Sequence, residues 1–532
     1  MSSVSLVAIL SFMQIRALRS YYMQYTGQPG GTYTEGIVGT ITTINPVLSD
    51  SGANADVNRL VFSGLTRFNR DGKVEADLAK SWTVSPDGRV YTFTLKSGVV
   101  WHDGQPFTSA DVAHTAGMIQ SPDTRSPLAS SWQGVEVATP NATTVVLTLP
   151  VRYDAFLNAT TVGIVPKHIL QDVPASELKV SGFNQAPVGT GPFVVESFDT
   201  ESGSVTLMAH NRYYGGAPKL ESIILKVYDT QSALQEAFRK QQVMGMARAA
   251  NSAGTSYGRG AVARELTIPE EVALFMRTTS PLLSDASVRA AISVAIDRQS
   301  ITKSILKDTA QPLVVPALNS QLPIASTYQI PDQNLSEAKQ LLDKAGWKQQ
   351  GDGVRVKDGK AMRLALVTAN NDDYTAVAER IKDQLLDAGI DVEVTSYDAA
   401  TLQRSYIAPR NYDVLLYGLN AGIDLDLYPY WHSSQAKSPG LNVSQYADPA
   451  ADKALQSARA TTDAQVRNVR LKSFLDTWSA DDPAAMLYTP SYMYVTQDKV
   501  QGIPGGQLVT PADRFYDVQD WTVRRSLVPR IQ

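Results

Sequence analysis

Apolar and polar residues alternate along the early part of the chain and fall at helical spacing in much of the later part. From Lys80 to Leu95 the pattern predicts a β-hairpin. Its arms are a strand at Ser81-Trp82-Thr83-Val84 and a second strand whose Tyr91, Phe93 and Leu95 share one face, joined by a Ser85-Pro86-Asp87-Gly88 turn. Thr143 to Leu149 repeats the period of two with Val145, Leu147 and Leu149. Further on, Met362 to Thr368 reads as a strand, and Tyr374 to Ala388 sets Val377, Ile381 and Leu385 on one helical face with Gly389 as the stop. Ile390, Val392 and Val394 alternate again, which completes a βαβ unit, and Asp413 to Tyr417 reads as another buried strand. Asn334-Leu335-Ser336-Glu337 has the spacing of a helix start that Gly346 would close. The fold class is therefore α/β. No repeat or low-complexity tract breaks the pattern, and Ala247 to Gly260 is the most loop-like interior stretch.

Length refines this picture. The chain has 532 residues, beyond the roughly 250–300 at which a single core stops growing, so two or three packed units are expected. With 43% hydrophobic and 19% charged residues it has the makeup of an ordinary globular chain. Net charge is −4 with both signs interspersed, and no basic run marks a nucleic-acid partner. Near the start, Val4 to Ile15 is mostly apolar and is followed by Arg16, Arg19, Tyr21 and Tyr22. That order is the reverse of a secretory signal, and the run is shorter than the ~20 residues that span a bilayer. Residues 1–25 are read as a membrane anchor or signal remnant, with an amphipathic or buried helix as the alternative, and residues 26–31 as a Gly- and Pro-rich linker.

Patterns that would carry catalysis are weak here. Absence of cysteine removes disulfides, thiolate metal sites and cysteine nucleophiles. Gly254-Thr255-Ser256-Tyr257-Gly258 fits a nucleophile elbow, but no convincing strand precedes it. Ser300-Ile301-Thr302-Lys303 has S-x-x-K spacing, but Lys96-Ser97-Gly98 stands before it rather than after. The five histidines show no H-E-x-x-H spacing, and Asp424-Leu425-Asp426 lacks the Gly and Glu of a calcium loop. The expectation is a binding protein rather than an enzyme, with no cofactor and no metal site.

The stretch Leu78 to Val112 (LAKSWTVSPDGRVYTFTLKSGVVWHDGQPFTSADV) resembles a block of the extracytoplasmic solute-binding proteins of ABC importers, the peptide- and nickel-binding family 5. Further pieces follow in that family's order. They are Val165 to Leu170, Val188-Gly189-Thr190-Gly191-Pro192-Phe193, Asn211 to Pro218, Val288 to Ile292 with Ala295 to Arg298, Tyr430 to Gln435, and Tyr446 to Pro449. Most of these have structural readings: Asp87-Gly88 and Asp103-Gly104 as turns, Gly189 and Gly191 as residues of unusual backbone angle, and Trp82, Phe93 and Phe107 as core.

The resemblance implies a two-lobed, periplasmic-binding-protein-like (type II) fold with an extra subdomain in the first lobe. Lobe one would comprise residues 32–62, 187–276 and 490–532, its subdomain 63–186, and lobe two 277–489. A peptide or similar small solute would bind between the lobes, and closure would present it to an ABC permease with its ATPase subunits. The chain would act outside the cytoplasmic membrane as a monomer, tethered through its N-terminal segment. Family members that bind a nickel chelate, a sugar or another solute, or that serve as envelope chaperone or receptor, are the alternatives. Ligand contacts are expected near Thr43-Ile44-Asn45-Pro46 and in Tyr417 to His432. Peptide-binding relatives often carry an Asp shortly after a Gly-Trp pair, whereas here Tyr417-Gly418-Leu419-Asn420 precedes acids at Asp424 and Asp426. The candidates are Asn45 and Asn420, Asp424 or Asp426 for a ligand amine, Tyr430 and Trp431 for cleft walls, and His432.

Overall fold

The computed structural model describes the chain apart from residues 1–22, 49–51, 153–155, 250–255, 320, 350, 352, 399–400, 421, 423–424, 439, 462, 504 and 530–532. Strand Thr32–Val38 is the axis of a seven-stranded sheet, with parallel neighbours Ser222–Tyr228 on one side and Gly245–Met246 on the other. Tyr492–Gln497 and Ala261–Leu266 extend the sheet beyond Gly245–Met246, and Ser204–Ala209 and Phe193–Asp199 extend it on the far side. The second sheet has six strands in the order Ala310–Pro312, Ala484–Pro490, Glu270–Met276, Val414–Asn420, Arg363–Ala369 and Asp391–Tyr397.

The chain passes between the sheets twice. It leaves the first sheet at Leu266 and enters the second at Glu270, then returns from Pro490 to Tyr492. Pro269 and Pro490 stand at these crossings, where a missing N–H ends a ladder without cost. The expected boundary after Met276 therefore moves back. Strand Glu270–Met276 belongs to the second lobe, where Val272, Leu274 and Met276 join the core on one sheet face and Ala273 and Phe275 that on the other.

The hairpin predicted at Lys80 to Leu95 is present as Ala79–Val84 and Val90–Leu95, with Gly88 at φ +70° in its turn. With Thr144–Thr148 and Glu136–Asn141 it forms a four-stranded antiparallel sheet. Its Tyr91, Phe93, Val145 and Leu147 are buried in the same core as Tyr33 and Ile37 of the seven-stranded sheet, so the subdomain packs on lobe one without a break. The βαβ unit is likewise present: Arg363–Ala369 and Asp391–Tyr397 are parallel, joined by helix Asp372–Asp387, with Gly389 at φ +87°. Asn334 Oδ1 accepts from Glu337 N at 3.0 Å and caps helix Leu335–Lys344 as its spacing predicts.

Two further expectations change. Thr26 to Gln28, expected as linker, are part of strand Met23–Gln28, which pairs antiparallel with Arg524–Pro529 and brings the two ends of the described chain together. Gly189 and Gly191 are not at positive φ; they are required by close approach instead. A Cβ on Gly189 would lie 1.9 Å from the Val61 carbonyl oxygen, and one on Gly191 2.6 Å from the Val61 carbonyl carbon.

His102 holds this loop from the other side. Its Nδ1 accepts from Gly189 N at 3.1 Å, so the proton sits on Nε2, which donates to Gly191 O at 3.1 Å. Burial is the first cause that pushes the His102 pKa down, to about 4.

At the centre of lobe one lies a buried ionic cluster. Arg514 Nε donates to Glu35 Oε1 at 2.9 Å, and its two Nη groups grip Asp56 at 2.6 and 2.7 Å. Tyr494 donates to Glu35 Oε2 at 2.8 Å, and Tyr33 donates to the same oxygen. Burial, then the Glu35 charge, raise both tyrosine pKa values well above the ordinary phenol, so both stay protonated donors. Arg514 is 1% exposed and Glu35 0%, and a charge left unpaired there faces no water.

Two predictions follow from these contacts. Arg514→Met should cost about 3–5 kcal/mol in urea unfolding, because two carboxylates lose their shared partner; a loss under 1 kcal/mol would mean that water reaches the site. The folded His102 pKa lies below the ordinary value, so wild-type stability should fall as pH drops from 6.5 to 4, by about 3 kcal/mol from this group. His102→Gln should flatten that part of the curve, measured by unfolding at stepped pH.

Candidate functional site

A cavity of about 540 Å³ opens between the lobes. Lobe one builds most of its wall. Helix Gly52–Val61 contributes Ala55, Asn58 and Arg59, the loop after it Phe62, and the subdomain Trp132, Asn158 and Thr161 to Gly163. Val509 to Asp513 line it from the C-terminal segment, and Asn420 and Gly422 reach in from lobe two. Thr510 and Asp513 form a reciprocal capping box that fixes this segment (Thr510 N to Asp513 Oδ2, 2.8 Å), and Arg59 Nη2 lies 3.1 Å from Asp513 Oδ1.

A second cavity of about 630 Å³ lies alongside, between the subdomain and lobe two. Val135, Leu149 and Phe156 face Tyr428, Tyr430, Gln435 and Arg459 across it. Ser131 lines both cavities, so the two lie side by side in one trough walled by both lobes. Among the described residues, two direct contacts tie the lobes at the floor. Asn420 Nδ2 donates to Val509 O at 2.8 Å, and Arg248 Nη2 lies 3.5 Å from Glu270 Oε2.

The family model for bacterial extracellular solute-binding proteins, family 5 Middle, matches residues 73–441. The chain belongs to that family. This family 5 protein is 27% identical over 508 residues to the oligopeptide-binding protein AppA of Bacillus subtilis, covering 93% of this chain and 92% of the relative. It superposes on the crystal structure of AppA in complex with a nonapeptide at a TM-score of 0.81 with 26% identity, over 94% of this chain and 100% of the other. Its likeness to NikZ from Campylobacter jejuni in complex with Ni(L-His) is comparable: TM-score 0.79, 27% identity, 92% of this chain and 99% of the other. The two-lobed type II fold expected of the chain is thus the fold of its family.

The residues expected at the site are dispersed. Asn420 lines the first cavity, and Tyr430 the second, where its hydroxyl donates to Asn420 O at 2.8 Å. Asn45 does not face the trough: it is fully buried, accepts from Val47 N and donates to Asn184 Oδ1, both at 3.0 Å, and thereby shapes the loop that presents Pro46 to the cavity. Trp431 is not a cleft wall. It is 1% exposed and packs between Phe275 and Trp478, with ring centroids 5.8 and 5.3 Å away. His432 is also buried, its ring nitrogens engaged by Ser434 and Gln456, and burial leads in pulling its pKa down. Asp426 is held by Arg459 Nη2 at 2.9 Å, and Arg459 stacks over Tyr428 at 4.5 Å, so this acid is already paired within lobe two. Asp424 lies outside the described residues.

Sequence reasoning missed Arg59, Trp132, Arg248 and Val509 to Asp513. One signal was available: Thr510-x-x-Asp513 has the spacing of a helix start. Asp513 and Arg59 are 454 positions apart along the chain, and nothing local pairs them.

Beside the floor, Glu271 has 2% exposure and an Oε1 without a hydrogen-bond partner among the described residues; burial raises its pKa to about 8. Its carboxyl is therefore neutral in the folded protein at pH 7. A folded pKa above the ordinary 4.5 means that stability is lost as pH rises from 4.5 to 8. Glu271→Gln should therefore stabilise by about 3 kcal/mol at pH 7 and by almost nothing at pH 4.5, read from denaturant midpoints. A pH-independent difference would mean that the carboxylate is ionised in place.

Proposed function

We propose that this family 5 protein captures peptides in the trough between its lobes and delivers them to the permease of an ABC importer. The observation that carries the reading is the trough itself. Its two adjoining cavities have linings that mix aromatic side chains (Phe62, Phe68, Trp132, Phe156) with the side-chain amides of Asn58, Asn158 and Asn420. Amides hydrogen-bond to a peptide main chain whatever its side chains, and roomy apolar walls accept varied ones. Likeness to AppA, whose solved structure holds a nonapeptide, supports the same ligand class. In this reading the chain works as a monomer on the outer side of the cytoplasmic membrane, tethered by its N-terminal segment. Among the described residues no helix is long and apolar enough to cross a membrane.

Likeness to NikZ favours a second reading, a nickel chelate. No cluster of three metal-ligating side chains occurs among the described residues, so such a metal would arrive with its own ligands.

Thermal unfolding of the full chain against di- to decapeptides, free amino acids, sugars and nickel–histidine separates these readings. A ligand at about 100 times its Kd stabilises the fold by about 2.7 kcal/mol. Peptides of one length range should raise Tm, with free amino acids inert. A shift with nickel–histidine and none with any peptide would replace the peptide reading by the chelate one.

A further inference from the structure

Among the described residues, the charged ones on the wall of the first cavity are Arg59, Asp513 and Arg248. Arg59 and Asp513 lie 3.1 Å apart and neutralise each other, with side-chain exposures of 19% and 9%. Arg248 is placed differently. Its side chain is 54% exposed, and its nearest carboxylate is Glu270 at 3.5 Å, too far for the short charge-assisted bond a guanidinium makes with a carboxylate, with Asp56 and Asp373 also within reach of its charge. The guanidinium rests 5.8 Å from the centre of the Tyr492 ring, and among the described residues its N–H groups donate no hydrogen bond.

Two buried arginines of this protein each donate several hydrogen bonds. Arg355 donates to Ala388 O, Trp347 O and Asp343, and Arg298 to Met486 O and Ser293 O. Arg514 is the closest precedent, since one guanidinium there serves two carboxylates at once. Arg248 has a carboxylate beside it, no donated hydrogen bond among the described residues, and a cavity in front.

We propose that Arg248 is a carboxylate-binding residue of the cleft. The ligand's carboxylate, in a peptide without acidic side chains its C-terminal one, takes the open edge of the guanidinium while Glu270 remains beside it. A planar fork matches the two oxygens of a carboxylate, which a point charge does not. Because Arg248 belongs to lobe one and Glu270 opens the first strand of lobe two, the ligand's carboxylate docks where the lobes meet. This rests on the reading of the trough as the solute site, and it sets the end-group preference of that solute.

Calorimetric titration tests it with peptides of three to nine residues lacking Asp and Glu, each supplied as the free acid and as the C-terminal amide. Wild type should bind the acids at least tenfold more tightly than the amides. Arg248→Gln should bind both with the affinity of the amide, and Arg248→Lys should recover only part of the difference. Equal binding of acid and amide by wild type overturns the proposal. So does an Arg248→Gln variant that loses acid and amide affinity in the same proportion, the mark of a structural role. If neither form binds wild type, the peptide reading has failed, and citrate, succinate and nickel–histidine are compared with the methyl esters of the same acids. Binding of a free carboxylate that Arg248→Gln abolishes supports the subsite; no binding, or binding that survives the substitution, overturns it.

Discussion

Lobe one is closed by one guanidinium. Arg514 arrives near the end of the chain and locks onto Glu35 of the central strand and Asp56 of the helix that walls the cleft. Each of these ions gives up several kcal/mol of hydration on burial, and only close, fully paired geometry recovers it. The pairing is nearly complete: Asp56 is held at both oxygens, and Glu35 is held by Arg514 on one oxygen and by two tyrosines on the other. Because the cluster tolerates little displacement, it sets where Pro511 to Asp513 run, and with them one wall of the cavity.

From that fixed wall the second lobe hangs on two short connections, each beside a proline, together with the Asn420–Val509 and Arg248–Glu270 contacts. Asn420 is the last residue of its strand and sits opposite Glu270 in the sheet, so both lobe-two contacts lie at one end of one strand pair. Gly418 lies close by, and a Cβ there would meet the Tyr374 hydroxyl at 2.5 Å. A hinge movement would therefore re-space the two contacts together, and a ligand lying across the floor would sense both.

Much of the fold was legible because it rests on local periodicity. Tyr91, Phe93 and Leu95 alternate and are buried; Val377, Ile381 and Leu385 recur at helical spacing and are buried; Asn334 caps what its spacing said it would cap. The site was far less legible. Trp431 and His432 sit in a segment rich in aromatics and acids, a composition that suits a core as well as a cleft, and tertiary packing against Phe275 and Trp478 decided between them. Asp426 resembled a free acid until Arg459 reached it from a helix 33 positions later. Arg248 and Arg59 gave no signal at all, since a lone arginine in a loop or at a helix end is ordinary. Their role on the wall comes from partners such as Asp513 and Glu270, which the chain delivers from elsewhere.

The order in which the chain supplies its parts has a consequence for how the molecule is made. Glu35 is synthesised early, yet two of its partners, Tyr494 and Arg514, and the neighbouring strand Tyr492–Gln497, come after almost the whole second lobe. During synthesis the second lobe can complete its sheet as soon as Ala484–Pro490 has emerged, while the first still holds an unanswered carboxylate in its centre. Native contacts of such long sequence separation form late and slowly. The newborn chain therefore stays open for most of its synthesis, with an unfinished first lobe that becomes a rigid partner for the second only when the last few dozen residues appear.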